Sequence, residues 1–315
     1  LNRFLTGYDL THVYDPATET LDLSRLLCGS EGTLAFITEI LLDLTPIPTY
    51  RALVNIKYDS FESALRNAPL MLAAEAMSVE TVDSRVLDLA RSDIVWHSVK
   101  NLITDVPGKE MMGLNIVEYA GADASDQQPK MQALCQKIDE QMAAGKAGII
   151  GYQICEDLSS IEAIYGMRKK AVGLLGNAPG RKKPVAFTED TAVPPEKLAD
   201  FIMEFRALLD AHQLTYGMFG HVDAGVLHVR PALDMCDPEQ EVTLRKISDQ
   251  VVKLTAKYGG LMWGEHGRGF RSEYGPEFFG ELFVELRRIK GAFDPDNRLN
   301  PGKICTPLNS NDELV

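Results

Sequence analysis

Between residues 50 and 258 the apolar positions alternate between two spacings. Short runs rich in Val, Ile and Tyr favour strands, whereas apolar residues three and four positions apart favour helices. This pattern predicts strands at 52–57, 113–119, 147–155, 216–219 and 226–229. It predicts helices at 61–77, 79–91, 127–144, 159–175, 194–211 and 238–257. Long helices interspersed with separate strands predict an α+β domain, a sheet with helices on one face.

One segment before this region and one after it contain glycine and resemble loops that bind a cofactor. Residues 26–38 have the pattern of a strand, a glycine loop and a second strand, and small residues in such a loop let backbone N–H groups approach a phosphate. Pro46 and Pro48 then mark a boundary. Near the other end, a predicted helix at 276–292 leads into a polar turn at 293–304, whose basic end can bring donors to a cofactor. Taken alone, each segment also fits an ordinary turn or helix-ending loop.

Three of the six histidines lie in two glycine-containing motifs, Gly220–Pro231 and Gly264–Gly269. His221 and His228 are seven residues apart, which on one continuous strand would place them on opposite faces. The turn residues Asp223-Ala224-Gly225 between two apolar runs predict a hairpin instead, and a hairpin brings the two imidazoles together. With a carboxylate in the second motif, these residues have the ligand types of a divalent ion such as zinc.

Glu265 and His266 are adjacent, so both cannot point at one atom from a regular strand. We expect them to have separate functions, one as a metal ligand and the other facing the substrate, where a histidine is a natural proton acceptor. The alternative is two surface loops with unrelated histidines. The remaining histidines, His12, His97 and His212, are expected to be structural or surface residues.

The composition excludes several classes of protein. The 315 residues include 32 basic and 45 acidic side chains, and the net charge of −13 argues against a nucleic-acid surface, which needs a basic stripe. No run of 18 apolar residues and no signal-peptide pattern occurs, so we expect no transmembrane segment and no secretion. The five cysteines are scattered without a Cys-x-x-Cys pair, which predicts free thiols in the cytoplasm. A peripheral position on the inner membrane face is the alternative location.

Four motifs, in this order, resemble those of a known family: Cys28–Leu34, Gly220–His228, Gly264–Gly267 and Asp294–Lys303. The family is that of FAD-linked oxidases and dehydrogenases of the vanillyl-alcohol-oxidase type, which includes D-lactate, glycolate and D-2-hydroxyglutarate dehydrogenases. Residues 59–69 and 95–98 look most like the large bacterial D-2-hydroxyglutarate dehydrogenases that contain FAD and an iron–sulfur domain. The resemblance covers the whole chain. It implies an FAD-dependent dehydrogenase that oxidises a D-2-hydroxy acid, with D-2-hydroxyglutarate as first choice, to the 2-oxo acid.

The resemblance also implies that the chain is the C-terminal part of the flavin portion of a longer enzyme. Residues 1–50 resemble the truncated end of an FAD-binding domain, residues 51–260 the substrate (cap) domain, and residues 261–315 a C-terminal segment that returns to the flavin. The expected fold class is therefore α+β, an antiparallel-sheet cap domain with helices, flanked by remnants of an FAD-binding domain. The iron–sulfur cluster would belong to the parent protein, outside this chain.

The family's functional residues can be carried over where the motifs match. His221, His228 and Glu265 resemble ligands of a divalent metal (zinc, iron or manganese), and His266 resembles the general base that takes the hydroxyl proton. The flavin N5 would receive the hydride from the α-carbon. The positions that resemble the cofactor-binding residues are Gly29, Ser30, Gly32 and Thr33 along the pyrophosphate and ribose, and Asn300 and Lys303 near the isoalloxazine.

Arg168 matches the position at which the family holds a substrate carboxylate, and a guanidinium binds a carboxylate bidentately. A solvated helix face is the alternative, because Lys169 and Lys170 follow it. The related enzymes place a hydroxyl and a lysine after this arginine, whereas this chain has Val172 and, near the second position, residues 187–190 (Phe-Thr-Glu-Asp). The second carboxylate is left to one of three other cations, Arg181, Lys182 or Lys183.

Two other functions explain part of the sequence. In a metal-dependent hydrolase, His221, His228 and Glu265 would activate water, but the glycine loop and the 293–304 turn would have no purpose. An inactive isolated cap module is the second alternative, since much of the flavin surface would be missing. The expected partners are a small 2-hydroxy acid, an electron acceptor that the sequence does not identify, and a second copy of the chain in a homo-oligomer.

Overall fold

The computed structural model describes residues 7–176 and 180–315, apart from the side chain of Val172. Within these residues the chain forms two units, one of residues 45–260 and one of residues 7–44 with 261–315. That the smaller unit belongs to an FAD-binding domain, as the resemblance implies, stays a prediction.

Strands and helices are labelled in chain order. The strands are β1 Tyr14–Asp15, β2 Thr20–Leu21, β3 Tyr50–Tyr58, β4 Ser78–Asp83, β5 Gly113–Gly121, β6 Ile149–Cys155, β7 Lys183–Pro184, β8 Thr191–Ala192, β9 Tyr216–His221 and β10 Val226–Leu233. The helices are α1 Ser24–Cys28, α2 Phe61–Arg66, α3 Ala68–Ala73, α4 Ser84–Ser92, α5 Trp96–Val99, α6 Ala124–Ala143, α7 Leu158–Gly176, α8 Leu198–Ala211, α9 Pro238–Lys257, α10 Gly275–Phe279 and α11 Phe283–Phe293. Within residues 7–176 and 180–315, none of these helices has the length and apolar character needed to cross a bilayer.

An antiparallel sheet forms the centre of the larger unit. Its strands lie in the order β6-β3-β5-β4-β9-β10-β7, and β8 also pairs with β10. The strand pairs in the described part of the chain are all antiparallel. The predicted α+β class with an antiparallel sheet is therefore confirmed.

Helices cover both faces of this sheet, not one face as the sequence pattern predicted. Residues an odd number of positions apart on a strand point to opposite faces. On β5, Asn115 donates a hydrogen bond to the Ala64 carbonyl oxygen of α2, whereas Glu118 accepts one from the Tyr165 hydroxyl of α7. Apolar spacing identifies the buried side of a helix but does not say which face of the sheet it covers. We call the face under α7 the α7 face.

Strand β4 occupies residues where the apolar spacing predicted the start of a helix at 79–91. Val79, Val82 and Val86 do follow the helical period, but only Ser84–Ser92 is helical. The segment 78–83 is rich in β-branched residues, and its backbone pairs with β5 on one side and β9 on the other. A full ladder of backbone hydrogen bonds with β5 and a shorter one with β9 outweigh the local helical pattern.

Two other predicted segments also differ. The single helix expected at 61–77 is divided into α2 and α3, with Pro69 in the first turn of the second helix. The strand expected at the start of 26–38 is the short helix α1, which buries Leu26. The second strand expected there is not formed in the described structure, where residues 35–44 have no regular secondary structure.

Strands β9 and β10 form the hairpin that the turn residues predicted. Its register pairs His228 with Phe219, so His221, two residues after Phe219, points to the same face as His228. Gly225 at the turn has φ +69°, and a Cβ atom there would lie 1.8 Å from the Val193 carbonyl oxygen. Only glycine fits this position.

The smaller unit has its own core, which includes Leu26, Leu286 and Ile304. A fully buried lysine, Lys290 of α11, ties this unit together. Its ammonium donates to the Asp294 carboxylate at 2.7 Å and to two backbone carbonyl oxygens, those of residues 33 and 299, at 2.7 and 2.8 Å. A buried cation is tolerated here because a carboxylate and two carbonyl groups replace its water.

Asp83 connects three elements of the larger unit. Its buried carboxylate accepts the Val86 N–H, which caps α4, and the Met218 N–H of β9, each at 2.9 Å. Burial raises the pKa of Asp83 to about 6, although the two backbone hydrogen bonds act to lower it.

We expect Asp83→Ala to lower the free energy of unfolding by about 2–4 kcal/mol, because two buried N–H groups lose their acceptor. The folded-state pKa lies above the ordinary value, so the stabilisation from this group is greatest below about pH 4 and declines as the pH rises through about 6. The difference between wild type and variant should therefore narrow from about pH 4 to about pH 7, as measured by denaturant unfolding.

The matched control is Asp123→Ala, which removes an exposed N-cap of α6 and should cost about 0.5–1 kcal/mol at both pH values. Losses of equal size in the two variants would contradict the connecting role of Asp83.

Candidate active site

The two hairpin histidines lie side by side on the α7 face. The ring centroids of His221 and His228 are 5.8 Å apart, and the rings are nearly perpendicular, at 89°. His228 is buried and His221 is half-buried. The hairpin thus brings together the two imidazoles that the sequence predicted to meet.

This pair fits a divalent ion. With a metal–nitrogen bond of about 2.0–2.1 Å, two imidazoles bound to one zinc ion have ring centroids roughly 5–6 Å apart. The observed separation of 5.8 Å is in that range. The donor type suits zinc, iron and manganese.

Glu80 lies on β4, directly opposite His221 of β9. One carboxylate oxygen, Oε1, is 3.3 Å from His221 Nδ1, and the other, Oε2, is 2.6 Å from the Arg168 guanidinium. Burial acts to raise the pKa of Glu80, but the contacts with His221 and Arg168 outweigh it and leave the pKa below its ordinary value. Glu80 is therefore an ionised carboxylate that touches a candidate metal ligand and a candidate substrate anchor.

Arg168 projects from α7 toward the sheet, unlike the lysines that follow it. Its side chain is 20% exposed, and its guanidinium carbon lies 5.3 Å from the centre of the Phe219 ring. Lys169 and Lys170 are exposed, and Lys170 pairs with Asp93. The solvated helix face that was the alternative for this segment applies to the lysines and not to Arg168.

A second arginine, Arg230, lies on the same face and was missed by the sequence analysis. It is two residues after His228 on β10, pairs with the Glu189 carboxylate, and lies 5.9 Å from the centre of the Phe219 ring. The two guanidinium groups of Arg168 and Arg230 therefore both contact one aromatic ring, beside the histidine pair. A carboxylate-bearing ligand would find two cations on this face.

The cations that the sequence offered for a second carboxylate have other surroundings. Arg181 is largely exposed and pairs with Asp234 at 2.8 Å. Lys182 is exposed, and Lys183 lies in β7, at the edge of the sheet. The side chain of Val172, where the related enzymes have a hydroxyl, lies outside the described residues.

Glu265 and His266 belong to the smaller unit, in a loop that Glu31 holds. The Glu31 carboxylate accepts the backbone N–H groups of Arg268 and Gly269 at 2.6 and 3.0 Å. In this loop Glu265 is half-buried and His266 is exposed. A single carboxylate thus fixes the backbone two and three residues after His266, in the loop that carries the predicted metal ligand Glu265 and the predicted base His266.

The same loop needs glycine and arginine at set positions. Gly267 has φ +79°, and a Cβ atom there would lie 2.6 Å from Glu31 Oε1. The buried Arg268 guanidinium lies 4.3 Å from the centre of the Phe279 ring and 5.4 Å from that of Trp263. Burial lowers the pKa of Arg268 to about 10. The sequence Gly-Arg after the histidine is explained by these contacts.

The predicted flavin residues at 29–33 form a tight turn in the smaller unit. Gly29 has no room for a side chain, because a Cβ atom would lie 2.0 Å from the Gly7 carbonyl oxygen. Gly32 has φ +73° and open space where its side chain would be, so a ligand can approach its backbone closely. The Thr33 hydroxyl is used internally, in hydrogen bonds with Tyr8 and with the Ser30 carbonyl oxygen.

The predicted return segment lies against this turn. The Asn300 side-chain amide donates to the Glu31 carbonyl oxygen at 2.6 Å. The Lys303 ammonium lies 4.1 Å from the centre of the Phe270 ring. The described structure of this unit thus brings the Gly29–Thr33 turn, the Glu265–His266 loop and Asn300 together through one residue, Glu31.

A family model for FAD-linked oxidases, C-terminal domain, matches residues 47–304 of the chain. The chain belongs to this family. The resemblance inferred from the four sequence motifs is confirmed.

Two relatives of this FAD-linked oxidase domain are D-2-hydroxyglutarate dehydrogenases. The one from Pantoea ananatis is 70% identical over 311 residues, which are 98% of this chain and 30% of the relative. The one from Escherichia coli is 68% identical over 308 residues, with the same coverage of 98% and 30%. The chain therefore spans about 30% of the length of these curated relatives.

A solved structure confirms the fold of the domain. The 4-ethylphenol oxidase from Gulosibacter chungangensis matches it with a TM-score of 0.58, over 85% of this chain and 56% of that chain. The two sequences are 14% identical, so this similarity concerns the fold alone.

We expect Glu31→Gln to lower the free energy of unfolding of this FAD-linked oxidase domain by about 2–3 kcal/mol. Glutamine keeps one acceptor oxygen, so one of the two backbone N–H groups loses a charge-assisted hydrogen bond and faces an NH₂ group instead. Denaturant unfolding measures the change. The control is Glu39→Gln, an exposed carboxylate in the same unit, which should change stability by less than about 0.5 kcal/mol; a Glu31 variant as stable as this control would refute the role of Glu31.

Proposed function

We propose that the chain is the substrate-binding part of an FAD-dependent dehydrogenase that oxidises a D-2-hydroxy acid, first of all D-2-hydroxyglutarate, to the 2-oxo acid. The observation that carries this proposal is the histidine pair of the α7 face, with Glu80 and Arg168 beside it. The names of the two D-2-hydroxyglutarate dehydrogenase relatives support the choice of substrate.

We assign His221, His228 and Glu265 to a divalent metal, and His266 to proton transfer. The spacing of the two hairpin histidines supports the first two ligands, whereas the parts of Glu265 and His266 rest on the sequence resemblance. When bound, the metal would lower the pKa of the substrate hydroxyl and FAD would accept the hydride. His266 accepts the hydroxyl proton, a role in which a histidine side chain serves as general base.

The substrate carboxylates are held by guanidinium groups. Glu80 holds the Arg168 guanidinium against the sheet. The side chain is therefore ordered before a carboxylate binds, which lowers the entropy lost on binding. Arg230 is held in the same way by Glu189 and is our candidate for the second carboxylate, in place of Arg181, Lys182 or Lys183. Two arginines on one face favour a dicarboxylate over a monocarboxylate such as lactate.

FAD is proposed to lie along the turn at 29–33 and the return segment near Asn300 and Lys303. The open space at Gly32 supports close approach of a phosphate to the backbone. An iron–sulfur cluster is proposed for the same protein but not for this chain, whose five cysteines are all free thiols. Such thiols also favour the cytoplasm as its location.

The two alternative functions have less support. A metal-dependent hydrolase would not need the flavin motifs, and the family to which the chain belongs is FAD-linked. An inactive cap module describes at most the chain by itself, since the relatives are dehydrogenases about three times as long.

The central test is reduction of the flavin in the full-length protein. We expect D-2-hydroxyglutarate, added without oxygen, to bleach the flavin absorbance, and D-lactate to bleach it more slowly because it lacks the second carboxylate. L-2-hydroxyglutarate is the matched control and should leave the flavin oxidised. If none of the D-2-hydroxy acids bleaches the flavin, the proposed function is wrong.

The histidine roles can be separated by metal analysis of full-length variants. We expect His221→Ala and His228→Ala each to lose bound divalent metal, because each removes a ligand. His266→Asn should keep the metal and lose about 10²–10⁴-fold in turnover, the usual contribution of a general base. His97→Ala, at an exposed position, is the control. Full metal content in the His221 and His228 variants, or metal loss in the His266 variant, would show that the roles are assigned wrongly.

A further inference from the structure

Glu80 contacts both a candidate metal ligand, His221, and a candidate substrate-binding residue, Arg168. It lies on β4, in the middle of the sheet, and its side chain is 13% exposed. One of its oxygens contacts His221 at 3.3 Å and the other contacts Arg168 at 2.6 Å. It thus bridges the histidine pair and the arginine of α7.

The contact with His221 has a direct chemical meaning. An imidazole that donates its Nδ1–H to a carboxylate has Nε2 as its remaining lone pair, and that nitrogen is then available to a metal. A carboxylate behind a ligating histidine also fixes the ring and raises its basicity. The Glu80 oxygen lies beside His221 Nδ1, so it favours the tautomer in which Nε2 carries the lone pair that a metal binds.

The contact with Arg168 fixes the second group. Arg168 comes from a helix, not from the sheet, and its orientation depends on what the guanidinium meets at the strand. It meets the Glu80 carboxylate and the Phe219 ring, which itself lies 5.3 Å from the His228 ring. One carboxylate therefore sets the position of Arg168 relative to both histidines.

We propose that Glu80 is a positioning residue that holds the metal ligand His221 and the substrate anchor Arg168 in one arrangement, so that a single side chain sets both metal affinity and substrate affinity. This inference rests on the proposed function. It assigns Glu80 no contact with substrate or flavin.

The matched control lies on the same face. Glu118 of β5 is 7% exposed and forms a comparable ion pair with Arg51 at 2.8 Å, together with a hydrogen bond from Tyr165. None of the contacts observed for Glu118 involves His221 or Arg168. Glu118→Gln therefore removes a buried charge from the same sheet face without touching the two groups in question.

The experiment compares Glu80→Gln, Arg168→Gln and Glu118→Gln in the full-length protein. The affinity for Mn²⁺ is measured without substrate, and kcat and KM for D-2-hydroxyglutarate are measured at saturating Mn²⁺. We expect Glu80→Gln to weaken Mn²⁺ binding by about 10–100-fold, as is typical when the partner of a ligating histidine is removed, and to raise KM as well. Arg168→Gln should raise KM but change Mn²⁺ affinity by less than about twofold, and Glu118→Gln should leave Mn²⁺ affinity unchanged.

If Glu80→Gln does not fold, as judged by its thermal melting, Glu80→Asp replaces it. Aspartate keeps the charge but is one methylene shorter, so it cannot reach both partners, and a loss of Mn²⁺ affinity or a rise in KM of about tenfold is expected. Wild-type Mn²⁺ affinity and KM in the Glu80 variant would overturn the inference.

The outcomes also separate this inference from the proposed function. If the wild-type protein binds no divalent ion, the proposed function and the inference both fail. If the wild type binds Mn²⁺ and loses it on substitution of His221, but Glu80→Gln behaves like Glu118→Gln, only the inference fails.

Discussion

The arrangement of the candidate site depends on the register of one hairpin. His221 and His228 are seven residues apart, and they share a face because the hairpin places Phe219 opposite His228. His221 is two residues after Phe219, so its side chain points to the same face. The turn requires a left-handed backbone conformation at position 225, next to the Val193 carbonyl oxygen, and glycine is the residue type that fits there. A shift of the register by one residue would move one imidazole to the other face, where it could not meet its partner.

Ion pairs line the same face of the sheet. Glu118 of β5, Glu80 of β4 and Glu189 each pair with an arginine, and these pairs are at most about one-third exposed. Half-buried ion pairs cost desolvation and are weak evidence for stability, so their number here calls for another explanation. For the two pairs beside the histidines, Glu80–Arg168 and Glu189–Arg230, preorganisation is an explanation, because a guanidinium group held in place before a ligand arrives loses less side-chain entropy on binding it.

The sequence predicted the strands, turns and helices that are determined by neighbouring residues along the chain. The hairpin follows from the turn residues at 223–225, and α9 begins and ends where the apolar spacing placed it. β4 could not be predicted in this way, since its strand state depends on ladders with β5 and β9, which are distant in sequence. Glu80 could not be predicted for the same reason, because its proposed role depends on contacts with His221 and Arg168, which are 141 and 88 positions away in the sequence.

The candidate site shows the same division. His221, His228, Glu265 and His266 stood out because histidine beside glycine is an unusual pattern in apolar segments. Glu31 and Arg230 are not marked by such a motif. Two weaker signals could have identified them: Glu31 is the one charged residue in a turn of small residues, and Arg230 is two residues after a histidine on a predicted strand. Residues whose own side-chain chemistry suggests a ligand could be predicted from the sequence, whereas residues that contact and orient those side chains were found only in the fold.

The most direct measurement is pulsed electron paramagnetic resonance of Mn²⁺ bound to the full-length protein, which detects nitrogen atoms in direct contact with the ion. We expect coupling to two imidazole nitrogens in the wild type, and coupling to one in any ion that His228→Ala retains. A Mn²⁺ spectrum without imidazole nitrogen coupling, or one that His228→Ala leaves unchanged, would contradict the central claim that the hairpin histidines hold the ion.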